Sequence, residues 1–182
     1  MTYKFLRPEN PILKTRLEKV SFDTFEEMFQ LTPSQLHNNL LETMIECGGI
    51  GLSANQCGVM ARMFVMYTDW DNKIHEAFFN PEIIWESDDQ MVFNEGCLTY
   101  PFLFLSISRP FKIKVKYQDA DGVEYERDFD NISARVFQHE YDHMEGRNFT
   151  QLVSPLKLDI GRRKAAKTIK KQKIKQKNAR NT

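Results

Sequence analysis

The sequence predicts an α+β domain, and three observations carry that class. A well-signalled amphipathic helix opens near residue 33, an alternating strand pair spans residues 111–129, and a second helix near 133–145 is apolar on two sides. The first helix is announced by Thr32-Pro33-Ser34-Gln35, a capping box with proline at the first helical position. Leu36, Leu40, Leu41, Met44 and Ile45 then recur at helical spacing, and Gly48-Gly49 stop it. Met63 to Tyr67 is a short apolar run of strand length. Phe111, Ile113, Val115 and Tyr117 alternate with lysines, so they share one face of a strand. Asp119-Ala120-Asp121-Gly122 is a turn, and Val123 to Phe129 partly resumes the alternation, which makes a hairpin with one wet face. In the second helix Phe137, Tyr141 and Met144 share one side. Ile132, Val136, His139 and His143 share nearly the opposite one. That helix is expected to be buried, with its two histidines inside.

Composition narrows the function classes. With 182 residues, 41% apolar and 27% charged, the chain suits one domain with a short appendage. Wholesale disorder is excluded. The formal net charge of +0 hides an asymmetry. Residues 156–182 hold eleven Lys or Arg against Asp159 alone, net +10, which leaves residues 1–155 at −10. The organisation read from this is an acidic catalytic body, residues 1–155, and a basic C-terminal helix or tail, residues 156–182. Cys47, Cys57 and Cys97 are too few and too odd in number for a disulfide framework. They point to a reducing, cytoplasmic or equivalent compartment. The opening residues lack a signal-peptide core, and no apolar run approaches the roughly 18 residues of a membrane span. A soluble protein is expected, with neither membrane nor DNA as a partner.

The chemistry concentrates in His139-Glu140-Tyr141-Asp142-His143, an H-E-x-x-H on the second helix. One turn separates the histidines, so both imidazoles reach one metal. Glu140 beside them can move a proton at a water there. The pattern is short, and two hydrogen-bonded histidines at this spacing also arise by coincidence. A third ligand is required, and no histidine follows His143. Upstream, Asn94-Glu95-Gly96-Cys97-Leu98-Thr99-Tyr100-Pro101 offers Cys97. It reads either as a metal thiolate, leaving a fourth position for water, or as an ordinary buried thiol. A third segment, Gly49-Ile50-Gly51-Leu52-Ser53-Ala54-Asn55-Gln56, combines a backbone able to approach a ligand with the Gln56 amide donor. Taken singly it is a helix stop followed by a loop.

Together, in this order and spacing, the three segments resemble the three motifs of the peptide deformylase family. The resemblance runs from about Arg7-Pro8 to Ser154-Pro155-Leu156-Lys157. Ser53, Asn55 and Thr99 depart conservatively from the commoner family residues. Tyr100 to Leu105 makes an unusually apolar rim that bears on preference beyond the first substrate residue.

The fold implied by the resemblance is α+β, with antiparallel sheets packed around a central metal-binding helix. The activity implied is hydrolysis of the N-formyl group on the initiator methionine of newly made polypeptides, releasing formate. By the same resemblance Cys97, His139 and His143 bind one divalent metal ion. That ion is natively Fe2+, with Zn2+, Ni2+ or Co2+ able to take the site. The metal would bring the pKa of a water toward neutrality. The Gln56 side chain and the Leu98 backbone N–H would stabilise the oxyanion, and Glu140 would carry the proton from water to the leaving amine. Ile50, Val136 and the aliphatic stem of Arg135 are the candidates for the methionine pocket, with Gly51 offering backbone hydrogen bonds; Val136 also reads as ordinary core. Glu95 either orients the loop and holds a basic partner such as Arg109, or is a solvated charge. Cys47 and Cys57 are read as non-ligands, His37 and His75 as surface residues, Trp70 and Trp85 as packing.

Two rivals remain on the sequence alone. Another H-E-x-x-H metallopeptidase would need a ligand after His143, and no histidine is there. A ribosome- or RNA-binding protein on a deformylase-like scaffold would carry a broken ligand or acid–base set, and this set is complete. The tail is rich in Lys, Arg, Gln and Ala, good helix formers whose like charges would leave it partly disordered when free. Such a segment attracts phosphate. The resemblance implies docking on the ribosome or its RNA; a solvated tail or contact with the acidic body are the alternatives.

Overall fold

Alternation along two central strands sets the layering. The structure is a computed structural model that describes residues 2–179. In it, β2 (Met63–Asp69) and β3 (Ile74–Glu86) bury both faces at their centres. Phe64, Met66 and Phe78 point one way; Met63, Val65, Ala77 and Phe79 point the other. The first side is covered by α3 (Asn131–Met144) through Ala134, Val136 and Phe137. The second is covered by α2 (Pro33–Glu46) through Leu36, Leu40 and Met44, with Phe25 of α1 (Phe25–Phe29) beside them.

β1 (Gly51–Ser53), β6 (Lys112–Gln118) and β7 (Glu124–Asp130) complete a five-stranded sheet of order β1-β2-β3-β6-β7. A separate pair joins β4 (Gln90–Cys97) to β5 (Tyr100–Pro110). Every pairing is antiparallel. α3 packs against strands of both sheets, so the architecture is α+β with antiparallel sheets around a central helix.

Local signals act as read. The Thr32 hydroxyl accepts from Gln35 N at 3.1 Å and the Gln35 side chain accepts from Thr32 N at 2.9 Å, closing the capping box. Ile113, Val115 and Tyr117 are buried on β6. β7 buries Phe129 alone and exposes Glu124, Glu126, Arg127 and Asp128, a charged edge that resists pairing with another strand. α3 starts two residues before Ser133, and ten of its residues are buried. His37 and His75 are not surface residues. They are half-buried and meet edge to face at 6.3 Å between centroids. Trp70 and Trp85 are about half exposed, and Trp70 packs edge to face on Tyr67 at 4.9 Å between centroids.

The basic segment forms α4 (Pro155–Ala179), and the tail's last residues, 180–182, lie outside the described residues. Its first turns lay Leu158, Gly161 and Ala165 on Leu103, Leu105 and Ile107 of β5. Burial of that apolar stripe supplies what propensity alone does not. Among the described residues no helix is long and apolar enough to cross a membrane.

Candidate active site

α3 runs beneath the gap between the two sheets and presents His139, Glu140 and His143 to it. Cys97 enters at the end of β4, where the β4–β5 register shifts between Gly96 and Cys97. The Cys97 thiol and one nitrogen of each histidine all lie within 4.8 Å of one another. His143 Nε2 is 3.5 Å from Cys97 Sγ. His139 and His143 are buried and Cys97 is half-buried. A soft thiolate and two imidazoles at this spacing fit a divalent transition metal and leave a position open to the cleft.

Glu95 fixes this set. Its carboxylate takes Arg109 Nε at 2.6 Å, Arg109 Nη2 at 3.0 Å and Arg135 Nη1 at 2.8 Å. It also lies 3.0 Å from His139 Nδ1. A carboxylate only accepts, so His139 carries its proton on Nδ1 and turns Nε2 to the ligand cluster. Burial alone would raise the Glu95 carboxyl. Hydrogen bonds from His139 and Arg109, and the Arg109 charge, outweigh it and hold the group well below the usual carboxylate range. Arg109 continues to Asp142 at 2.8 Å, and Arg135 also donates to the Ile107 and Met91 carbonyls. The network ties β4 and β5 to α3, and Cys97 stands two residues from its centre. Of the two readings open for Glu95, the structure selects the partnered one. Glu95→Gln keeps the shape but weakens the orienting bond, so metal affinity should fall by about 10–100-fold. Competition with a chelator measures it, and unchanged affinity would remove Glu95 from this role.

Glu140 sits beside the ligands without joining them. The Ser53 hydroxyl donates to Glu140 Oε2 at 2.5 Å. Burial pushes the carboxyl above its ordinary value, against the pull of His139 and the Ser53 hydrogen bond. Gly51 makes room for it: a Cβ there would fall 2.6 Å from Glu140 Oε1 and 2.8 Å from Val136 Cγ1. Gln56 Nε2 donates to Thr99 Oγ1 at 3.0 Å and reaches Cys97 Sγ at 3.3 Å, while Gln56 Oε1 accepts from Ser53 N at 2.9 Å. Asn55 Nδ2 holds the His143 carbonyl at 2.8 Å.

All the sequence candidates but His143 line one cleft of about 720 Å³, and His143 stays buried beside Cys97 Sγ. Ile50, Gly51, Gln56, Leu98, Arg135 and Val136 line the cleft together with Cys97, His139 and Glu140. Cys57 stays outside, its thiol pushed up to about 12 chiefly by burial, which keeps it an unreactive neutral group. Ser53 and Asp142 are the partners that sequence reasoning did not assign.

A Cys–His–His set with a buried carboxyl beside it, opening on a cleft, defines a metal-dependent hydrolase. Comparison with known proteins narrows the class. The profile of the polypeptide deformylase family matches residues 2–159. A peptide deformylase of Thermotoga maritima is 38% identical over 165 residues, 89% of this chain and 95% of that protein. A peptide deformylase of Bartonella tribocorum is 38% identical over 142 residues, 76% of this chain and 80% of its own length. The crystal structure of a peptide deformylase from Legionella pneumophila superposes with a TM-score of 0.82 at 34% identity, covering 94% of this chain and 98% of that one. The chain belongs to the polypeptide deformylase family, metal-dependent hydrolases that remove the N-formyl group from newly made polypeptides.

Proposed function

We propose that this cleft removes the formyl group from the initiator methionine with its residues in the following roles. The observation that carries the assignment is the cluster of Cys97, His139 and His143 donors within 4.8 Å, beside a buried Glu140 that Ser53 holds off the ligand set. Cys97, His139 and His143 hold one divalent ion. The mixed thiolate–imidazole set suits iron as it suits zinc, and we take Fe2+ as the resident ion, with Zn2+, Ni2+ or Co2+ as substitutes. When bound, the ion supplies Lewis acidity that brings a water's pKa toward neutrality. Glu140 takes that water's proton as the oxygen attacks the formyl carbon. It gives the proton to the departing amine as the C–N bond breaks, leaving formate and a free N-terminus. The Gln56 amide and the Leu98 backbone N–H stabilise the charge that develops on the formyl oxygen.

The substrate is an extended chain. β1 ends the larger sheet and β4 belongs to the two-stranded pair, and both contribute residues to the cleft. A peptide adds between them by backbone hydrogen bonds, Gly51 among the donors and acceptors. The methionine side chain takes the slot formed by Ile50, Val136 and the Arg135 stem. The three free cysteines support a cytoplasmic or equivalent reducing compartment. The test is formate release from formyl-Met-Ala-Ser by the metal-loaded protein. Casein cleavage without formate would instead support the peptidase.

We take residues 1–155 as the catalytic body and 156–182 as a basic appendage whose first turns brace β5. Beyond that brace, Lys167, Lys170, Lys171, Lys173 and Lys175 are exposed on α4. These lysines support contact with ribosomal RNA, where nascent substrate emerges and docking raises its effective concentration. Changing all five to glutamine keeps helix propensity. The expected result is unchanged formyl-Met-Ala-Ser turnover with loss of salt-sensitive co-sedimentation with ribosomes; equal sedimentation would remove the tail as an anchor. A cut at Pro155 is the poorer test, because it strips Leu103, Leu105 and Ile107 of their cover.

A further inference from the structure

We infer that the cleft selects among formylated peptides by the two residues after methionine, favouring aromatic and large aliphatic side chains over charged ones of either sign. The inference rests on the deformylase reading and extends it to this chain's own substrate range. At about 720 Å³ the cleft holds far more than one methionine side chain, so the following residues occupy the remainder. The walls there are apolar. Phe93, Tyr100, Phe102 and Phe104 line the cleft, as does Ile50. Phe104 is 58% exposed, and Phe93 and Ile50 are each 43% exposed. Large side chains left uncovered together beside an active site mark a surface that ligand covers.

Among the described residues, the charges that line that space are buried rather than presented on its surface. The charged residues of the cleft are Glu95, Arg135, His139 and Glu140, all buried. Both terminal nitrogens of Arg135 are spent on Glu95 and on the Ile107 and Met91 carbonyls, and its unpartnered Nε is buried. Glu95 is spent on Arg109, Arg135 and His139. A charged substrate residue would therefore lose water here without gaining a partner.

The aromatic wall is built into the backbone. Phe104 stands opposite Gly96 in the β4–β5 register. A Cβ on Gly96 would fall 2.7 Å from Phe104 Cε1, so the ring lies directly on the backbone beside Cys97. Phe102 is held at φ +64°, in the left-handed region that a bulky residue adopts only when its surroundings impose it. That strain sits at the cleft mouth.

The experiment compares kcat/KM of the metal-loaded full chain on formyl-Met-Ala-Ser and on peptides with Phe, Asp or Lys at the second or the third position. The expected result is a preference of about tenfold or more for Phe over both Asp and Lys at one of the two positions. Lysine is included because the −10 body attracts cations. Rejection of Asp with preference for Lys would mean long-range charge rather than the apolar wall, and would overturn the inference. Ratios within twofold at both positions would overturn it too. In Phe104→Ser the Phe-to-Lys ratio should fall at least threefold, and a retained ratio removes Phe104 as a determinant. Each ratio is taken within one protein preparation, so partial misfolding cancels. If no peptide releases formate, the reaction itself is wrong; if formyl-Met-Ala-Ser is turned over without discrimination, only this inference fails.

Discussion

Glu140→Ala will lower formate release from formyl-Met-Ala-Ser by about 10²–10⁴-fold while the protein keeps its metal. The range is what a positioned proton carrier typically contributes, about 3–5 kcal/mol of barrier. The structure separates the two readouts. Glu140 is adjacent in sequence to His139 but bonds to Ser53 at 2.5 Å, whereas the ligand cluster comprises Cys97, His139 and His143. Removing the carboxyl leaves those three donors and the Glu95 hydrogen bond to His139 in place. Ser53 retains a second, longer acceptor, the Glu140 backbone carbonyl at 3.3 Å, so the loop bearing Gln56 is not released. Glu140→Gln sharpens the result. It keeps an oxygen for the Ser53 hydroxyl and the volume beside Gly51, but it cannot carry a proton. Equal loss in both variants, with metal content unchanged, assigns the effect to proton transfer. Loss of metal together with activity would make Glu140 a structural support of the site, and retained activity would end its catalytic assignment.

The pattern of what could be read beforehand follows from how far each signal travels along the chain. The H-E-x-x-H geometry is local, because helical spacing alone puts His139 and His143 on one face. The α2 start is local too, since Thr32 and Gln35 cap each other across three residues. Partners brought in by tertiary packing left no such trace. Ser53 and Glu140 are 87 residues apart, and nothing around Ser53 announces a buried carboxyl. For Glu95 the sequence offers Arg109 as a partner or a solvated charge, and nothing near it announces that Arg135 and His139 converge on it too. β3 carries Ala77-Phe78-Phe79 buried on both faces, so the period of two vanishes where the strand matters most. In β5, Leu103, Leu105 and Ile107 do alternate inward. The exposed Phe102 and Phe104 between them hide that period, and their apolar character belongs to the cleft rather than to the core. His37 and His75 deceived for the same reason in reverse: polar letters packed against each other.

Cys97→Ser will strip the metal from the site and leave the fold standing. A serine hydroxyl is a poor ligand beside a thiolate for a borderline or soft cation. Losing an orienting partner of a ligand costs about 10–100-fold in affinity, so loss of the ligand itself should cost more than about 100-fold. The fold should survive because Cys97 is half-buried at the strand end, while β4 stays paired to β5 from Gln90 to Gly96 and tied to α3 through Glu95, Arg109 and Asp142. Linkage gives a second readout. An ion bound at 100 times its dissociation constant stabilises the native state by about 2.7 kcal/mol. A chelator should therefore lower the melting temperature of the wild-type chain and leave that of Cys97→Ser nearly unchanged. The two proteins should then melt close together once the chelator is present, since what separates them is the ion and not the packing. Full metal stoichiometry in Cys97→Ser, with activity retained, would remove Cys97 from the ligand set. It would leave two imidazoles with no third protein donor among the described residues.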